Sequence, residues 1–457
     1  MKTDVIRSLT LRASSRMDAR YHLSPGVKAS EFIEVARAKG VTLRTIGGEG
    51  GLGRVWRPLR FKRAYAAPGE ASTPYLRPYD VFEYLPVAAD MLSLKRNKRI
   101  GDYRLRRGML LQTCSGRNLG PAVAVDEYLS RFVVGDDIIR IEIDDESIRL
   151  YVLAYLQSEI GQNLIKRGKT GSVIDHVSDA HLAKINVPII AEKAIEAVAK
   201  AMRHAIERRE RARVFLDDLL RRYESELPSL SRPTAPQQGW TVSAKHIGTR
   251  LDAAFHDLLV KQLRKALQKM GGRAVKEVAR VIKPGGRYKT CYVDREYGLP
   301  ILSGAQLLQA YPINLRYMSP KVFKNPERYA IKRPWIAYPA DGRAEDALGL
   351  PSMVVSNREG WLASGHVGRV IPNHETDPGW LWLACRTAHA QLQLKAAASG
   401  SVVDSTFVGD MERVILPPPF RHDYSEVASM WENFAKAEQD EQHALSIIDS
   451  AFRLLAK

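Results

Sequence analysis

Three short segments carry residues that could bind a phosphate or a metal ion. Gly48 to Gly53 (GEGGLG) fits Gly-x-Gly-x-x-Gly, a pattern that binds a dinucleotide or adenosylmethionine where a helix opens beside it. Arg54 to Pro58 is instead typical of a loop or a strand, so we interpret the glycines as a flexible loop. Gly168-Lys169-Thr170 resembles the end of a phosphate-binding loop, but Asn163 stands where that loop requires glycine. Asp144-Asp145-Glu146 is interpreted as a solvated turn rather than a metal site.

The sequence lacks the other motifs that indicate an enzyme. It contains no His-Glu-x-x-His, no Gly-x-Ser-x-Gly and no Asn-Pro-Pro-aromatic tetrad. Its 11 histidines show no ligand spacing, and Cys114, Cys291 and Cys385 lie far apart. We therefore predict no catalytic residue, no metal site and no cofactor in this chain. The cysteine usage indicates the reducing cytoplasm, and the absence of a long apolar run predicts no membrane contact.

The chain is strongly basic. In 457 residues, 69 Lys and Arg against 51 Asp and Glu give a formal net charge of +18. A surplus of this size favours polyanions, and double-stranded DNA is the partner we predict. The surplus is shared, because residues 1–190 hold 30 basic and 21 acidic residues and residues 240–420 hold 25 and 15. Two similarly basic halves indicate two similar binding surfaces.

Two clusters mix basic and aromatic residues. One runs from Lys95 to Arg107 with Tyr103 inside it, and the other is the glycine-rich loop from Lys283 to Lys289. Lys and Arg on phosphates would supply affinity, and contacts to base edges would supply sequence preference. The alternative for each cluster is a solvated charged face. Together with two arginines of Gly-Arg turns, the predicted DNA-binding residues are Lys95, Arg96, Lys98, Arg99, Arg104, Arg106, Arg107, Arg117, Lys283, Arg287, Lys289 and Arg343.

The two halves of the chain repeat each other. Four matches occur in the same order, at offsets of 234, 226, 226 and 229 residues. They join residues 16–22 to 250–256, 74–76 to 300–302, 110–117 to 336–343, and 171–175 to 400–404. Ordered matches at about half the chain length predict a tandem pair of whole domains, because the period is far too long for a solenoid.

Each copy ends in a long predicted helix, at residues 191–227 and 424–456, rich in strong helix formers. Nine positions in each, mostly apolar, follow the alternating spacing of three and four residues that is typical of a coiled coil. They are Ile195, Val198, Met202, Ala205, Arg209, Ala212, Leu216, Leu219 and Tyr223 in the first helix. In the second they are Val427, Met430, Phe434, Ala437, Glu441, Ala444, Ile448, Ala451 and Leu455.

The fifth position of each stripe carries a charge, Arg209 in the first helix and Glu441 in the second. If the helices pack antiparallel, centre against centre, these side chains meet within about one layer. A buried charge without a partner is costly, whereas a pair fixes register. We therefore predict an ion pair at the centre of the helix pair. The alternative is that both side chains extend outward to solvent.

These patterns define the predicted domain organisation. The first domain covers residues 1–190, the central long helix 191–227, a Pro- and Ser-rich linker 228–239, the second domain 240–420, and the C-terminal long helix 421–457. Short β-branched runs alternate with short helices inside each domain. The predicted fold class is therefore α+β, with two duplicated domains joined by two long helices that form an antiparallel coiled coil.

This arrangement resembles the specificity (S) subunit of type I restriction–modification systems. The sequence elements are Arg-x-Asp-Ala-x-aromatic at Arg16 to Tyr21 and Arg250 to Phe255, the Ser/Asp-Gly-Arg turns at Gly116 and Gly342, and Gly-Ser-Val-x-Asp before an apolar stretch and a proline. They recur twice in order, so the resemblance covers essentially the whole chain. Residues 46–100 depart from it, being richer in basic residues and loops, and this leaves the DNA-reading loop of the first domain open.

The resemblance implies two target-recognition domains that each read half of a split DNA site. It also implies that the helices set the spacing and dock two methyltransferase subunits, which would hold adenosylmethionine, while a separate motor–nuclease subunit would cleave. Nothing in this chain shows that a nuclease accompanies it. Two alternatives stay open: a stand-alone DNA-binding scaffold of a phage-defence complex, and an enzyme that uses the glycine loop.

The length of the helices fits a spacing role. From Ile195 to Tyr223 the stripe rises through 28 residues, which at about 1.5 Å per residue is roughly 42 Å. At about 3.4 Å per base pair this corresponds to roughly 12 base pairs, slightly more than one turn of DNA.

Overall fold

The computed structural model describes residues 17–116, 119–169, 176–230, 239–248, 250–285, 289–322, 325–400 and 402–456. Its contacts divide the chain into two compact units. Unit 1 comprises Met1–Glu210 and Lys436–Lys457, and unit 2 comprises Arg211–Ala435. Each long helix therefore contributes residues to both units, unlike the sequence-based division, which treats the helices as separate segments.

Unit 1 begins with short elements around three sheets. Its helices are α1 (Ala19–His22), α2 (Gly26–Ala38), α3 (Glu146–Gln157), α4 (Glu159–Arg167) and α5 (Asp179–Ala183). Its strands are β1 (Leu43–Thr45), β2 (Arg54–Trp56), β3 (Ser72–Leu76), β4 (Asp90–Ser93), β5 (Leu110–Thr113), β6 (Val123–Ala124), β7 (Val133–Val134), β8 (Ile138–Glu142) and β9 (Asn186–Pro188). The long helix α6 (Glu192–Ser225) follows. The sheet orders are β2-β8-β5-β6, β4-β3-β7 and β1-β9.

Unit 2 repeats this plan. Its helices are α7 (Ala244–Ile247), α8 (Leu258–Lys269), α9 (Val275–Val278), α10 (Gly304–Leu307), α11 (Pro378–Arg386), α12 (Ala388–Ala397) and α13 (Val408–Glu412), followed by the long helix α14 (Ser425–Ala456). Its strands are β10 (Arg273–Ala274), β11 (Ala279–Ile282), β12 (Tyr292–Val293), β13 (Leu299–Leu302), β14 (Arg316–Met318), β15 (Ile336–Pro339), β16 (Asp341–Gly342), β17 (Ser352–Met353), β18 (Leu362–Ala363), β19 (Val367–Pro372), β20 (Asp404–Ser405) and β21 (Ile415–Leu416). The sheet orders are β11-β19-β15-β17, β12-β14-β13-β18, β10-β21 and β16-β20.

The central strand pairs of the two units share one register. In unit 1, Leu110 of β5 lies opposite Ile141 of β8. In unit 2, Ile336 lies opposite Val370, which are 226 and 229 residues further along the chain. Both pairs are antiparallel. The offsets are those of the sequence matches, so the predicted repeat corresponds to equivalent strand pairings.

A parallel strand pair follows the same rule. Leu76 of β3 pairs with Val134 of β7, and Leu302 of β13 pairs with Ala363 of β18. The offsets are again 226 and 229 residues. Parallel pairing of such short strands is unusual, because the chain must cross over between them. Its occurrence at equivalent positions in both units strengthens the correspondence.

An aspartate starts the buried helix in each unit. Asp145 accepts a hydrogen bond from the backbone N–H of Ile148 at 2.8 Å and caps α3. Asp377 accepts from Gly379 at 2.7 Å and caps α11. Carboxylates at this position satisfy the free amides of the first turn. The acidic triplet that includes Asp145 is therefore a helix start rather than a solvated turn.

The core of unit 1 joins its central sheet to the long helices. Ile139 of β8, Tyr151 of α3 and Met202 of α6 belong to one buried cluster, which also includes Ile448 of α14. In unit 2, Trp382 of α11 packs edge-on against Trp431 of α14 at 5.4 Å between ring centroids. Burial of such large apolar side chains is the main stabilising contribution. In both units the long helices are thus part of the domain core.

Candidate nucleic-acid interface

The first basic cluster follows strand β4 and surrounds a 3-10 turn at Ile100–Tyr103. The buried side chain of Asn97 holds this segment, donating to the carbonyl oxygens of Ala64 at 2.8 Å and Ser93 at 2.7 Å. Lys95 and Lys98 are exposed on either side of it. The cluster is therefore a turn with a fixed backbone and outward-facing cations.

Several predicted arginines of this cluster already hold a carboxylate. The guanidinium of Arg96 lies 2.7 Å from a carboxylate oxygen of Glu70, and that of Arg99 lies 2.7 Å from Asp102. Hydrogen bonds from Arg96, Ser93 and the Ala67 amide lower the pKa of Glu70 from 4.5 to about 2. Arg96 therefore has a structural role in addition to any contact with DNA.

Arg107 contacts the long helix. Its guanidinium lies 3.0 Å from Glu210 of α6, which also accepts the backbone N–H of Glu127 at 2.9 Å. In unit 2, Arg333 lies 3.1 Å from Glu432 of α14. These two pairs fix a domain to a helix in each unit, so Arg107 is a positioning residue as well as a predicted DNA contact.

Arg104 and Arg106 are both exposed. Arg106 pairs with Glu142 at the end of β8. Tyr103, which the sequence places among these arginines, is buried instead, and its hydroxyl donates to the Leu59 carbonyl oxygen at 2.7 Å. Its ring is not available to stack on a base.

The second cluster is tied to the Gly-Arg turn of unit 2. Lys283 donates to Asp341 at 2.9 Å and to the Thr406 carbonyl oxygen at 3.1 Å. Burial would raise the pKa of Asp341, but hydrogen bonds from Lys283, Ser405 and His366 outweigh it and lower that pKa. Lys283 is therefore half-buried and held in place.

The remaining predicted residues divide into two groups. Lys289 and Arg343 are exposed. Arg117 and Arg287 lie outside the described residues, as do Arg16, residues 171–175 and most of the predicted linker. No contact can be assigned to this second group.

A basic groove of about 410 Å³ lies beside the first cluster. Two of its lining residues, Arg99 and Arg106, are among the predicted DNA contacts, whereas sequence reasoning missed Arg54, Trp56 and Arg57. Arg54 and Trp56 belong to β2, only three residues long, which follows directly on the glycine loop. The available signal was the alternation of Arg54, Trp56 and the opposing strand; the glycine pattern masked it.

The glycine loop leads into a strand. Gly48 and Gly50 adopt φ values of +90° and +69°, which glycine tolerates best. The chain then enters β2 at Arg54 rather than a helix. The helix N-terminus that a dinucleotide site needs is therefore not formed by the residues that follow Gly53.

The predicted pair between the long helices is present in unit 1. Arg209 Nη2 donates to Glu441 Oε2 at 2.6 Å, and Nη1 donates to Oε1, so the contact is bidentate. Both side chains are only 6% exposed. Beside them, Arg208 and Asp440 pair at 2.8 Å with 32% and 26% exposure. Two ion pairs of different burial thus join α6 to α14.

At the other end of α6, unit 2 supplies a polar and aromatic contact. The Tyr223 hydroxyl donates to the Pro418 carbonyl oxygen at 2.9 Å and accepts from the Trp380 indole at 3.1 Å. Its ring centroid lies 6.4 Å from that of Tyr424, directly before α14. The end of α6 therefore contacts the segment that starts α14.

Within the described ranges, no group of three or more His, Cys, Asp or Glu side chains is placed to hold a metal ion. In the same part of the chain, every helix is too short or too polar to cross a lipid bilayer.

Comparisons with known proteins give matches at the level of solved structures. No protein-family model matches the chain. No curated protein matches it either. Among solved structures, the S subunit of a type I restriction–modification system from M. genitalium is 13% identical, with 91% of this chain and 94% of that chain covered and a TM-score of 0.31.

Two further solved structures match over most of their length. The HsdS subunit from Thermoanaerobacter tengcongensis is 13% identical, covering 89% of this chain and 99% of that chain at a TM-score of 0.25. A chain from a structure on complex assembly and conformational transition of the type I R-M system is 15% identical, covering 88% and 97% at a TM-score of 0.28. The chain is thus similar to S subunits, at low identity and low TM-score.

Proposed function

We propose that this chain is a non-catalytic DNA sequence-specificity subunit. It reads a bipartite DNA site and directs a partner adenosylmethionine-dependent DNA methyltransferase to that site. The adenosylmethionine is held by the partner, of which two subunits bind, and this chain supplies recognition only. A restriction or defence nuclease joins the complex where the system includes one.

The observation that carries the proposal is the matched pair of basic units. Both use the register in which Leu110 opposes Ile141 and Ile336 opposes Val370. Both halves carry a surplus of positive charge. A scaffold that is used twice, with different loops, suits two different half-sites on one duplex, because basic surfaces bind the phosphates common to both.

The long helices support a spacing role. The Arg209–Glu441 pair joins their central turns, and Tyr223 near the end of α6 contacts Tyr424 before the start of α14. Such contacts are those of an antiparallel pair. Helices are stiff at about 1.5 Å per residue, so we propose that they fix the gap between the half-sites and offer the surface on which the methyltransferase subunits dock.

The test is methylation in a defined mixture. The full chain and the methyltransferase encoded beside it are purified separately, combined with genomic DNA and adenosylmethionine, and the methylated positions are mapped. We expect methylation of one split motif only when both proteins are present. Motif-specific methylation by the methyltransferase alone would contradict the proposal.

The alternative is a stand-alone DNA-binding scaffold that does not direct methylation. It predicts that the chain binds a duplex while the methylation map stays the same with and without it. An enzyme that uses the glycine loop predicts adenosylmethionine binding by the isolated chain, which calorimetry would detect.

A further inference from the structure

The basic groove of unit 1 contains cations that no carboxylate neutralises. Arg54 and Arg57 line it and are exposed. Among the described residues, neither forms an ion pair with an Asp or Glu: Arg54 packs on Trp56, and Arg57 donates to the Cys114 sulfur at 3.7 Å. Guanidinium groups of this kind are available to an incoming anion.

The position of Arg54 is fixed by its neighbours. Its guanidinium carbon lies 5.1 Å from the centroid of the Trp56 ring. The Trp56 indole N–H donates to Glu142 at 3.0 Å, and Arg140 packs at 5.2 Å from the same ring. A guanidinium stacked on an indole loses little freedom on binding and keeps its N–H groups free at the edge, which suits a phosphate.

Unit 2 has an arginine at the equivalent strand position. Trp56 lies opposite Arg140, and Ile282 lies opposite Arg369, the same positions in the common register. Two residues earlier, Arg54 therefore corresponds to Arg280. Arg280 is also exposed and, within the described part of the chain, pairs with no Asp or Glu side chain.

The surroundings of the two arginines differ. Arg54 lies opposite Glu142, whereas Arg280 lies opposite Ile371. Trp56 is replaced by Ile282 at the equivalent position. The charge is thus kept where the neighbouring side chains have changed. A contact to phosphate is needed in every half-site, while contacts that distinguish bases differ between half-sites.

We propose that Arg54 and Arg280 are matched anchors that bind the phosphate backbone of DNA, one in each half-site. This proposal rests on the proposed function, because it assumes a duplex partner. It assigns the anchor in unit 1 to the groove on β2 rather than to the paired arginines Arg96 and Arg107, and it makes Trp56 the residue that holds the anchor in place.

The experiment measures binding of the full chain to a 40-base-pair duplex of mixed sequence by fluorescence anisotropy, at several salt concentrations. Removing one phosphate contact reduces the slope of log affinity against log salt by about 0.9. We expect Arg54→Gln and Arg280→Gln each to lower the slope by about 0.9, and the double variant by about twice that. Arg54→Lys keeps the charge and should keep the slope.

Lys39→Gln is the matched control, because Lys39 is exposed at the end of α2 and does not line the groove. It removes the same charge and should leave the slope unchanged. If Arg54→Gln and Arg280→Gln behave like Lys39→Gln while the parent binds DNA, the anchor proposal is wrong and the proposed function stands. If the parent chain does not bind the duplex, both proposals fail.

Discussion

At the scale of single residues, solvent exposure decides what a charge contributes. Arg209 and Glu441 are almost fully buried, whereas the neighbouring Arg208–Asp440 pair is about a quarter to a third exposed. Solvent screens the second pair, so it contributes little. The first pair is held in an apolar seam, where either partner left alone would be an uncompensated buried charge.

We expect Glu441→Ala to destabilise the protein by about 3–5 kcal/mol, because Arg209 would stay buried without a carboxylate. Asp440→Ala is the matched control, one residue away, and should cost less than about 1 kcal/mol. Urea unfolding followed by circular dichroism compares the two. Equal unfolding midpoints for both variants would show that Arg209 finds solvent and that the pair is not required.

Glu70 gives a prediction of pH dependence. Its pKa is lowered to about 2 from an ordinary value of 4.5, first by Arg96. The carboxylate therefore stabilises the fold above about pH 4.5, and this contribution is lost as the pH falls towards 2. Arg96→Gln should return the pKa towards 4.5, measured by carbon NMR of the side-chain carboxyl. A pKa that stays near 2 in the variant would rule out Arg96 as its cause.

At the scale of elements, a buried arginine marks the central strand of each unit. Arg140 of β8 donates to the carbonyl oxygens of Ile138 and Val134 at 2.9 Å each. Arg369 of β19 donates to Tyr329 at 2.9 Å and Ala363 at 3.0 Å. Burial lowers the pKa of both to about 10, so both remain charged at neutral pH. Each ties its sheet to the loops beside it.

We expect Arg140→Met and Arg369→Met to destabilise their own units by similar amounts, about 2–4 kcal/mol, because each leaves buried carbonyl oxygens without donors. Hydrogen exchange resolves where the loss occurs: faster exchange in β8 for the first variant and in β19 for the second. Loss of protection in one variant only would contradict the equivalence of the two strands.

The long helices could be predicted from the sequence and the strands could not. The predicted runs 191–227 and 424–456 correspond to Glu192–Ser225 and Ser425–Ala456, since long runs of helix formers give a strong signal. Strand β5 is four residues long and buried throughout, so it shows no alternation of polar and apolar residues. Only the repeat between the two halves points to it.

The candidate site was predictable only in part, for a similar reason. Arg96, Arg106 and Arg107 form a cluster in sequence, but their carboxylates Glu70, Glu142 and Glu210 come from distant parts of the chain. Sequence spacing reveals the cations and conceals these partners. Whether the arginines also contact DNA stays a prediction.

At the scale of the complete chain, the proposed spacing role requires that helix length sets the gap between the two half-sites. Removing one heptad from α6 and one from α14 shortens each by about 10 Å, or about three base pairs. We expect the recognised gap to shorten accordingly or binding to be lost. Selection of bound duplexes from a randomised-gap library measures it. Replacing one heptad of each helix by another of the same length is the control. An unchanged gap after deletion would refute the spacing role.

The most direct measurement is a map of DNA methylation in cells that encode this chain, compared with the same cells after its deletion. We expect methylation to disappear from one motif made of two short halves separated by a fixed gap, and to return with the intact gene. An identical methylation map in both strains, with the neighbouring methyltransferase expressed and active, would contradict a role in directing methylation.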